Sequence, residues 1–252
     1  MKTGHSLRKS AFFLLLLIAL VAPVLFLTSH VEGAGGSRIL SPFMKHFIAQ
    51  NNGSIEKAEQ LIFAINKEAS SFSVLIHPLE KQGGAWKRAF PAFRATIGEN
   101  GFAPFDRKKE GDGKSPTGVF ALGTAFGYGP SVATGMPYRQ ATDNDFWVDD
   151  PASEDYNRWV SGRPKAASME KMKREDDLYK YGIVIEYNTS PIVRGKGSAI
   201  FLHLWRDQAK GTAGCVAMPE DKVLKLLDWL DPAKKPLIIM GTEAELLGVR
   251  SP

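Results

Sequence analysis

Ser198-Ala-Ile-Phe-Leu-His-Leu204 and, after a short polar loop, Gly211-Thr-Ala-Gly-Cys-Val-Ala-Met218 are the two halves of the stretch that decides the fold. The first half is an apolar run of strand length carrying an imidazole near its end, so it reads as a buried strand over 198–204 with His203 at its tip. The second half is a turn of glycines and small residues, which lets the backbone bend tightly and leaves the Cys215 sulfur open to approach. Cys215 is the only cysteine in 252 residues. A thiol becomes thiolate near neutral pH when a base or a positive field stands beside it, and a histidine on an adjacent strand end supplies both. Cys215 and His203 are therefore a candidate nucleophile and base. A bland reading competes: a lone cysteine in an apolar run is commonly a small buried hydrophobe, and a lone histidine at a strand end a satisfied structural group. Spacing alone leaves both open.

Working outward, Tyr181 to Tyr187 reads as the preceding strand, with Gly195 to Gly197 opening the next. After the cysteine turn, Pro219-Glu-Asp starts a helix with proline and acids in its first turn. Val223, Leu224, Leu227 and Leu230 make its apolar stripe, Asp231-Pro232 ends it, and Leu237 to Met240 is a final strand that closes the sheet. Toward the N-terminus, 39–53 reads as a connector or short helix. Gln60 to Ile65 fits both a helical stripe and a buried strand; strand is favoured because it can pair with Ser71 to Leu79, where Phe72, Val74 and Ile76 alternate. Gly83-Gly84 is a turn, and Trp86 to Ile97 completes an antiparallel meander.

Gly111-Asp-Gly-Lys-Ser-Pro-Thr-Gly118 looks like a phosphate cradle until its spacing is checked. Pro116 follows Lys114 and Ser115 where a helix must begin, so the segment is a turn leading into a strand over Gly118 to Leu122. Between Gly123 and Gly162 the chain is aromatic and acidic, a composition suited to lining a cleft; Asp149, Tyr156 and Asn157 are its candidate substrate contacts. Asp149 and Asp150 are adjacent and point apart in extended chain, with no histidine or cysteine near, so no metal is expected, and no cofactor. The charged segment 168–180 reads as a solvated helix or lid, a wet face rather than a site.

Composition places the chain among ordinary globular proteins: 44% apolar, 23% charged, net charge +5 and pI near 9.2. The basic balance fits an anionic partner such as a cell-wall polymer or membrane surface; with no helix-turn-helix or RNA-binding pattern, nucleic acid is not expected. Lys2, Arg8 and Lys9 precede an apolar run from Ala11 to Leu27 and a polar, glycine-rich stretch, the layout of a secretory signal or an uncleaved membrane anchor. The expected location is the periplasm or cell envelope, where an unpaired thiol points to a reactive group or an intermolecular bridge. The expected organisation is a leader and linker over 1–36, a connector over 37–58, a catalytic domain over 59–242 and a tail over 243–252.

The ordered set Gly-Lys-Ser-Pro-Thr-Gly-Val-Phe, Trp-Val-Asp-Asp-Pro with Tyr156-Asn157, Ile-Glu-Tyr-Asn at 185–188, Phe-Leu-His-Leu-Trp and Gly-Thr-Ala-Gly-Cys-Val-Ala-Met resembles the L,D-transpeptidase catalytic-domain family, YkuD-like, over roughly Gln60 to Gly241. The resemblance implies a mainly β fold, a flattened barrel or sandwich of mixed sheets with few helices, and cysteine acyl transfer on peptidoglycan stem peptides. It assigns Cys215 as nucleophile and His203 as base. Gly214, with Cys215, would offer backbone N–H groups to the oxyanion, and Thr212 holds the family's Ser/Thr position. The family often carries a histidine before the Gly-Cys pair and an arginine or asparagine two residues after the cysteine; Ala213 and Ala217 stand there, marking a divergent branch. Arg206, beside Trp205, is the candidate to replace the missing basic contact to substrate. Three other outcomes stay open: an L,D-carboxypeptidase at the same bond, a non-catalytic wall-binding module, and an exported cysteine peptidase.

Overall fold

The structure is a computed structural model that describes Met1 and residues 40–248. The leader read from the sequence lies outside the described residues, Met1 apart. No described helix is long and apolar enough to cross a membrane.

Thirteen strands are found among the described residues: β1 (Gln60–Asn66), β2 (Ser73–Gln82), β3 (Ala85–Arg88), β4 (Phe93–Thr96), β5 (Gly118–Gly127), β6 (Tyr138–Gln140), β7 (Asp145–Val148), β8 (Arg158–Ser161), β9 (Met169–Lys171), β10 (Tyr181–Ile185), β11 (Phe201–Leu204), β12 (Val216–Met218) and β13 (Leu237–Thr242). Helices α1 (Pro42–Gln50), α2 (Asn52–Ile55), α3 (Glu220–Trp229) and α4 (Glu243–Gly248) accompany them. The fold is mainly β. Strands follow one another in the order β1-β13-β5-β10-β11-β12-β4-β2, and β2 pairs back onto β1, closing a barrel. A separate sheet runs β8-β7-β9. Pairing is mixed, since β1 with β13 and β11 with β12 are parallel while their other neighbours are antiparallel.

The ambiguous run at 60–65 is a strand, antiparallel to β2 as expected, with Ile62 opposite Pro78 and Ala64 opposite Ile76. Its periodicity misleads because both faces are buried. Ile62 and Ala64 join the barrel core with Val74, Ile76, Leu202, Val216, Ile238 and Met240. Leu61, Phe63 and Ile65 pack the other way, against Met44 and Phe47 of α1 and Leu246 of α4. A strand covered on both sides loses its polar alternation.

Helix α3 seals the barrel core with Val223, Leu226 and Leu227, followed by Leu230. Leu226 takes the place expected of Leu224, which stays partly exposed. Each such side chain contributes about 1.5–3 kcal/mol by leaving water. The helix stops at Leu230 as expected, where Asp231 caps a short 3-10 turn.

Two expectations are corrected. The strand read over 198–204 is confined to Phe201–Leu204, because Ala199 adopts a left-handed backbone, φ 51°. That conformation costs an alanine about 1–2 kcal/mol and interrupts any strand. The segment 168–180 is not a helix: it forms β9 and a run of turns. Met172 and Tyr179 are buried within it, so the segment folds inward on two apolar anchors that its charges obscure.

Candidate active site

Alternation along β11 sets the site. Leu202 and Leu204 point into the barrel core, so Phe201 and His203 point out of it. Strand β12 lies parallel, with Leu202 opposite Val216 and His203 opposite Ala217. Cys215, one residue before β12, therefore emerges on the same outer face as His203. That face is covered by β7–β9 and the turns after them, through Trp147, Met172 and Tyr179. Between the barrel and this cover lies a cavity of about 460 Å³, whose lining includes Cys215, His203, Tyr179, Glu170, Asp149 and Glu110.

The cysteine turn is held by main chain and two hydroxyls. Thr212 N–H donates to Ile97 O and Glu99 N–H to Thr212 O, both at 2.8 Å. The Ser115 hydroxyl donates to Gly214 O at 2.5 Å and receives Gly98 N–H at 3.0 Å. The Thr212 hydroxyl donates to Cys215 O at 2.7 Å and receives Gly214 N–H at 3.0 Å. Gly214 sits at φ 154°, where an added Cβ would lie 2.9 Å from Lys114 O. Only glycine fits against the Lys114-Ser115 segment, which gives the Gly-Lys-Ser-Pro-Thr-Gly motif its purpose: it is the floor of the cysteine turn.

The Cys215 thiol donates to Ala199 O at 3.1 Å, and Phe201 N–H reaches the sulfur at 3.4 Å. Asn157 accounts for the left-handed Ala199. Its Oδ1 accepts Ala199 N–H at 3.1 Å and Trp147 Nε1–H at 2.9 Å, while its Nδ2 donates to Tyr187 O and Asn188 O. The strain at Ala199 is thus held by a buried, fully bonded amide, and it aims a carbonyl at the nucleophile.

His203 Nδ1 lies 2.7 Å from Leu204 O. A carbonyl only accepts, so Nδ1 carries the proton and Nε2 is left as the basic nitrogen of a neutral ring. Burial holds the imidazole down to about 4, against the pull of the Leu204 carbonyl. Burial, then the negative charge of Glu170, pushes the Cys215 thiol up to about 12; Phe201 N–H, Lys108 and Tyr179 act the other way. The resting pair is a neutral thiol and a neutral imidazole. The positive field expected of His203 is absent because both groups sit where water cannot solvate charge.

The catalytic-domain model of the L,D-transpeptidase family, YkuD, matches residues 69–239. The chain belongs to the YkuD L,D-transpeptidase family. None of the curated proteins compared with it matches. A solved structure, the helical cell shape determining protein Pgp2 from Campylobacter jejuni, aligns over 79% of this chain and 54% of its own, at 15% identity and a TM-score of 0.37. The chain thus spans about half the length of that protein.

In this YkuD domain the residues singled out from sequence separate into two groups. Cys215, His203, Gly214, Thr212, Trp205, Arg206 and Asp149 all line the cavity. Tyr156 and Asn157 stand behind its wall. The Tyr156 hydroxyl bonds Glu110 and receives Gly197 N–H, so it supports a cavity carboxylate. Gly214 N–H is turned to Thr212, while Cys215 N–H makes no hydrogen bond among the described residues. Arg206 is engaged with Asp176 at 2.9 Å, and Asp176 in turn with Arg174.

The sequence reading passed over Glu110, Glu170 and Tyr179, which form the wall facing the sulfur. Glu110 Oε2 accepts from Tyr156 and from Ser198 Oγ. Glu170 accepts from Tyr179. Asp149 Oδ1 is buried with no partner among the described residues. The one signal for the Glu170–Tyr179 part of this wall was the set of apolar residues Met169, Met172, Leu178 and Tyr179 inside a charged stretch. Among the described residues no group of three histidine, cysteine or acidic side chains is placed to hold a metal.

Proposed function

We propose that the protein is an exported cysteine acyltransferase of the cell envelope, an L,D-transpeptidase acting on peptidoglycan stem peptides, with its catalytic domain over 59–242. The observation that carries this reading is one cavity presenting Cys215 and His203 on the same face, in a chain of this family. Substrate binding brings a stem-peptide carbonyl onto the sulfur. The thiol proton passes to His203 Nε2, and the sulfur adds to the carbonyl between the L-centre of the diamino acid and the terminal D-residue. His203, oriented by Leu204 O, returns the proton to the leaving amine as the carbon–nitrogen bond breaks. Starting from two neutral groups, charge appears only once substrate is bound, which protects the thiol between turnovers.

The oxyanion falls to the Cys215 N–H, with Gly214 N–H joining once Thr212 releases it. A donor of this kind is worth about 3 kcal/mol in the transition state. An acceptor amine from a second stem then takes the acyl group and regenerates the thiol.

Intact-protein mass spectrometry tests the proposal. The purified chain incubated with disaccharide-tetrapeptide, and separately with a carbapenem, should gain an adduct mapping to Cys215 that vanishes in Cys215→Ala. Cross-linked muropeptide is the expected product; a trimmed tripeptide alone would reassign the same thioester to hydrolysis. A folded, reduced protein that forms neither adduct nor product overturns the enzyme reading in favour of a wall-binding module.

A further inference from the structure

The outer face of the barrel carries one row of residues across four strands. Gly182 of β10 stands opposite His203 of β11, His203 opposite Ala217 of β12, and Ala217 opposite Thr96 of β4. Residues opposite one another in a sheet share a face, so Thr96 stands on the face of the base, two strands from His203 and roughly 10 Å along the row. Its neighbours Ala95 and Ile97 turn the other way, into the barrel core.

The two sides of His203 differ. Toward β10 the row is closed, because Phe126 covers Gly182 so tightly that an added Cβ would lie 2.4 Å from its ring. Toward β12 it is open: Ala217 offers only a methyl, and Ala217 and Thr96 both line the cavity. At the end of this open path Thr96 is 1% exposed, and its Oγ1 has no hydrogen-bond partner among the described residues. A buried hydroxyl without a partner destabilises the chain that carries it. No bond holds this one against turning about χ1 toward a group that enters.

We propose that Thr96 is a substrate-binding residue, its hydroxyl donating to the carboxylate of the stem peptide's terminal D-residue. The inference rests on the stem peptide being the ligand of this cavity.

The course of the reaction sets the placement. His203 returns its proton to the leaving amine, so that nitrogen lies over His203 as the bond breaks. The leaving residue extends from there, and the row leaves room only on the β12 side. Its carboxylate is separated from the amine by one carbon, so it falls over Ala217, with the Thr96 hydroxyl one strand further on, about 5 Å across the sheet. Charge agrees with this direction. Thr212 N–H bonds Ile97 O and Glu99 N–H bonds Thr212 O, so the 210–212 segment runs beside 97–99. That brings Lys210, which lines the cavity, to the β4 side. The cavity acids Glu110, Asp149 and Glu170 come instead from the 105–115 loop and from the cover over the face. A hydroxyl that donates to a carboxylate makes a bond about twice as strong as one that donates to a neutral amide.

The test uses the full chain in a Cys215→Ala background, where binding is read without turnover. Calorimetric titration with disaccharide-tetrapeptide, and with the same ligand amidated at its C-terminus, gives two affinities for each variant. Thr96→Val keeps the shape and removes the hydroxyl; it should weaken binding of the free acid by about tenfold or more and of the amide much less. Thr96→Ser keeps the hydroxyl and should recover most of that loss. The thermal midpoint of Thr96→Val should meanwhile rise by about 2–4 °C, because a group without a partner gives way to one that needs none. Lower affinity joined to higher stability is a combination that a purely structural hydroxyl does not give.

An unchanged affinity for the acid in Thr96→Val overturns the proposal, as does an equal loss for acid and amide, the mark of an altered cavity shape. A Thr96→Val chain that melts lower or does not fold also overturns it, since the hydroxyl must then have a partner in the fold. A parent chain that binds neither ligand overturns both this inference and the stem-peptide reading. Tetrapeptide bound through Thr96, with no acyl adduct at Cys215 in the wild type, keeps this inference and removes the transferase reading. Normal acylation with Thr96→Val indifferent does the reverse.

Discussion

The two walls of the cavity are built by different means. The cysteine turn is positioned by main-chain bonds at Ile97, Glu99 and Thr212 and by the Ser115 hydroxyl beneath Gly214. The facing wall is positioned by long side chains: Glu170 on Tyr179, Arg174 on Asp176, Glu110 on Tyr156. Backbone positioning demands particular small residues at fixed spacing, so it leaves a motif in the sequence. Side-chain positioning demands only that the right carboxylate and phenol arrive together in three dimensions. The nucleophile's attachment belongs to the first wall, and the electrostatic setting that governs its ionisation comes largely from the second.

The sharpest test of the first wall is its base. His203→Ala should lower the acylation rate by about 10²–10⁴-fold, measured by stopped-flow or quenched adduct formation, while strong electrophiles still alkylate the thiol. In the wild type, burial holds the imidazole near 4, so the proton-free base is present above that value and is lost as pH falls through it. The rate should therefore be level across neutral pH and decline only in acid near 4. A limb between pH 6 and 7 would mean that water reaches His203, breaking the picture of two buried, neutral groups.

Ser115→Ala tests the floor beneath that wall. It strands a buried carbonyl at Gly214 and a buried amide at Gly98, an expected loss of about 1–3 kcal/mol in a denaturant titration. Acylation should also slow, by roughly tenfold, since the backbone carrying the Cys215 N–H is no longer pinned. A loss of stability with an unchanged rate would make Ser115 a part of the fold alone and assign the turn's geometry to Thr212.

How much of this was legible follows the same division. Period-2 alternation and turn residues located β2, β5, β10 and β13, and the small residues of the cysteine turn itself, because those features are local; that Ser115 lies beneath that turn, 99 residues from Gly214, was not legible. The end of the strand before His203 was not legible: Ala199 turns left-handed only because Asn157, 42 residues earlier, accepts its N–H. Nor was the role of 168–180. Most of its charges lie at the surface in ion pairs such as Lys173 with Asp143 and Arg174 with Asp176, while Glu170 turns inward to Tyr179, and the burial of Tyr179 against Phe201 and His203 depends on β11 arriving from elsewhere in the chain.

The smallest expected effects lie at the cavity rim, where the basic contact absent at Ala217 must be sought. Arg206 was the candidate from sequence, yet its guanidinium is 58% exposed and already paired with Asp176. An exposed pair of this kind contributes about 0–1 kcal/mol, and the attraction left for a substrate carboxylate is correspondingly small. Lys210 lines the same cavity, is exposed, and has no ion pair among the described residues. Lys210→Ala should therefore raise KM for the stem peptide several-fold with kcat little changed, the mark of lost ground-state binding. Arg206→Ala should raise it less. The reverse ranking in steady-state kinetics would mean that substrate displaces Asp176 from Arg206, and that the side-chain wall rearranges on binding while the cysteine turn stays fixed.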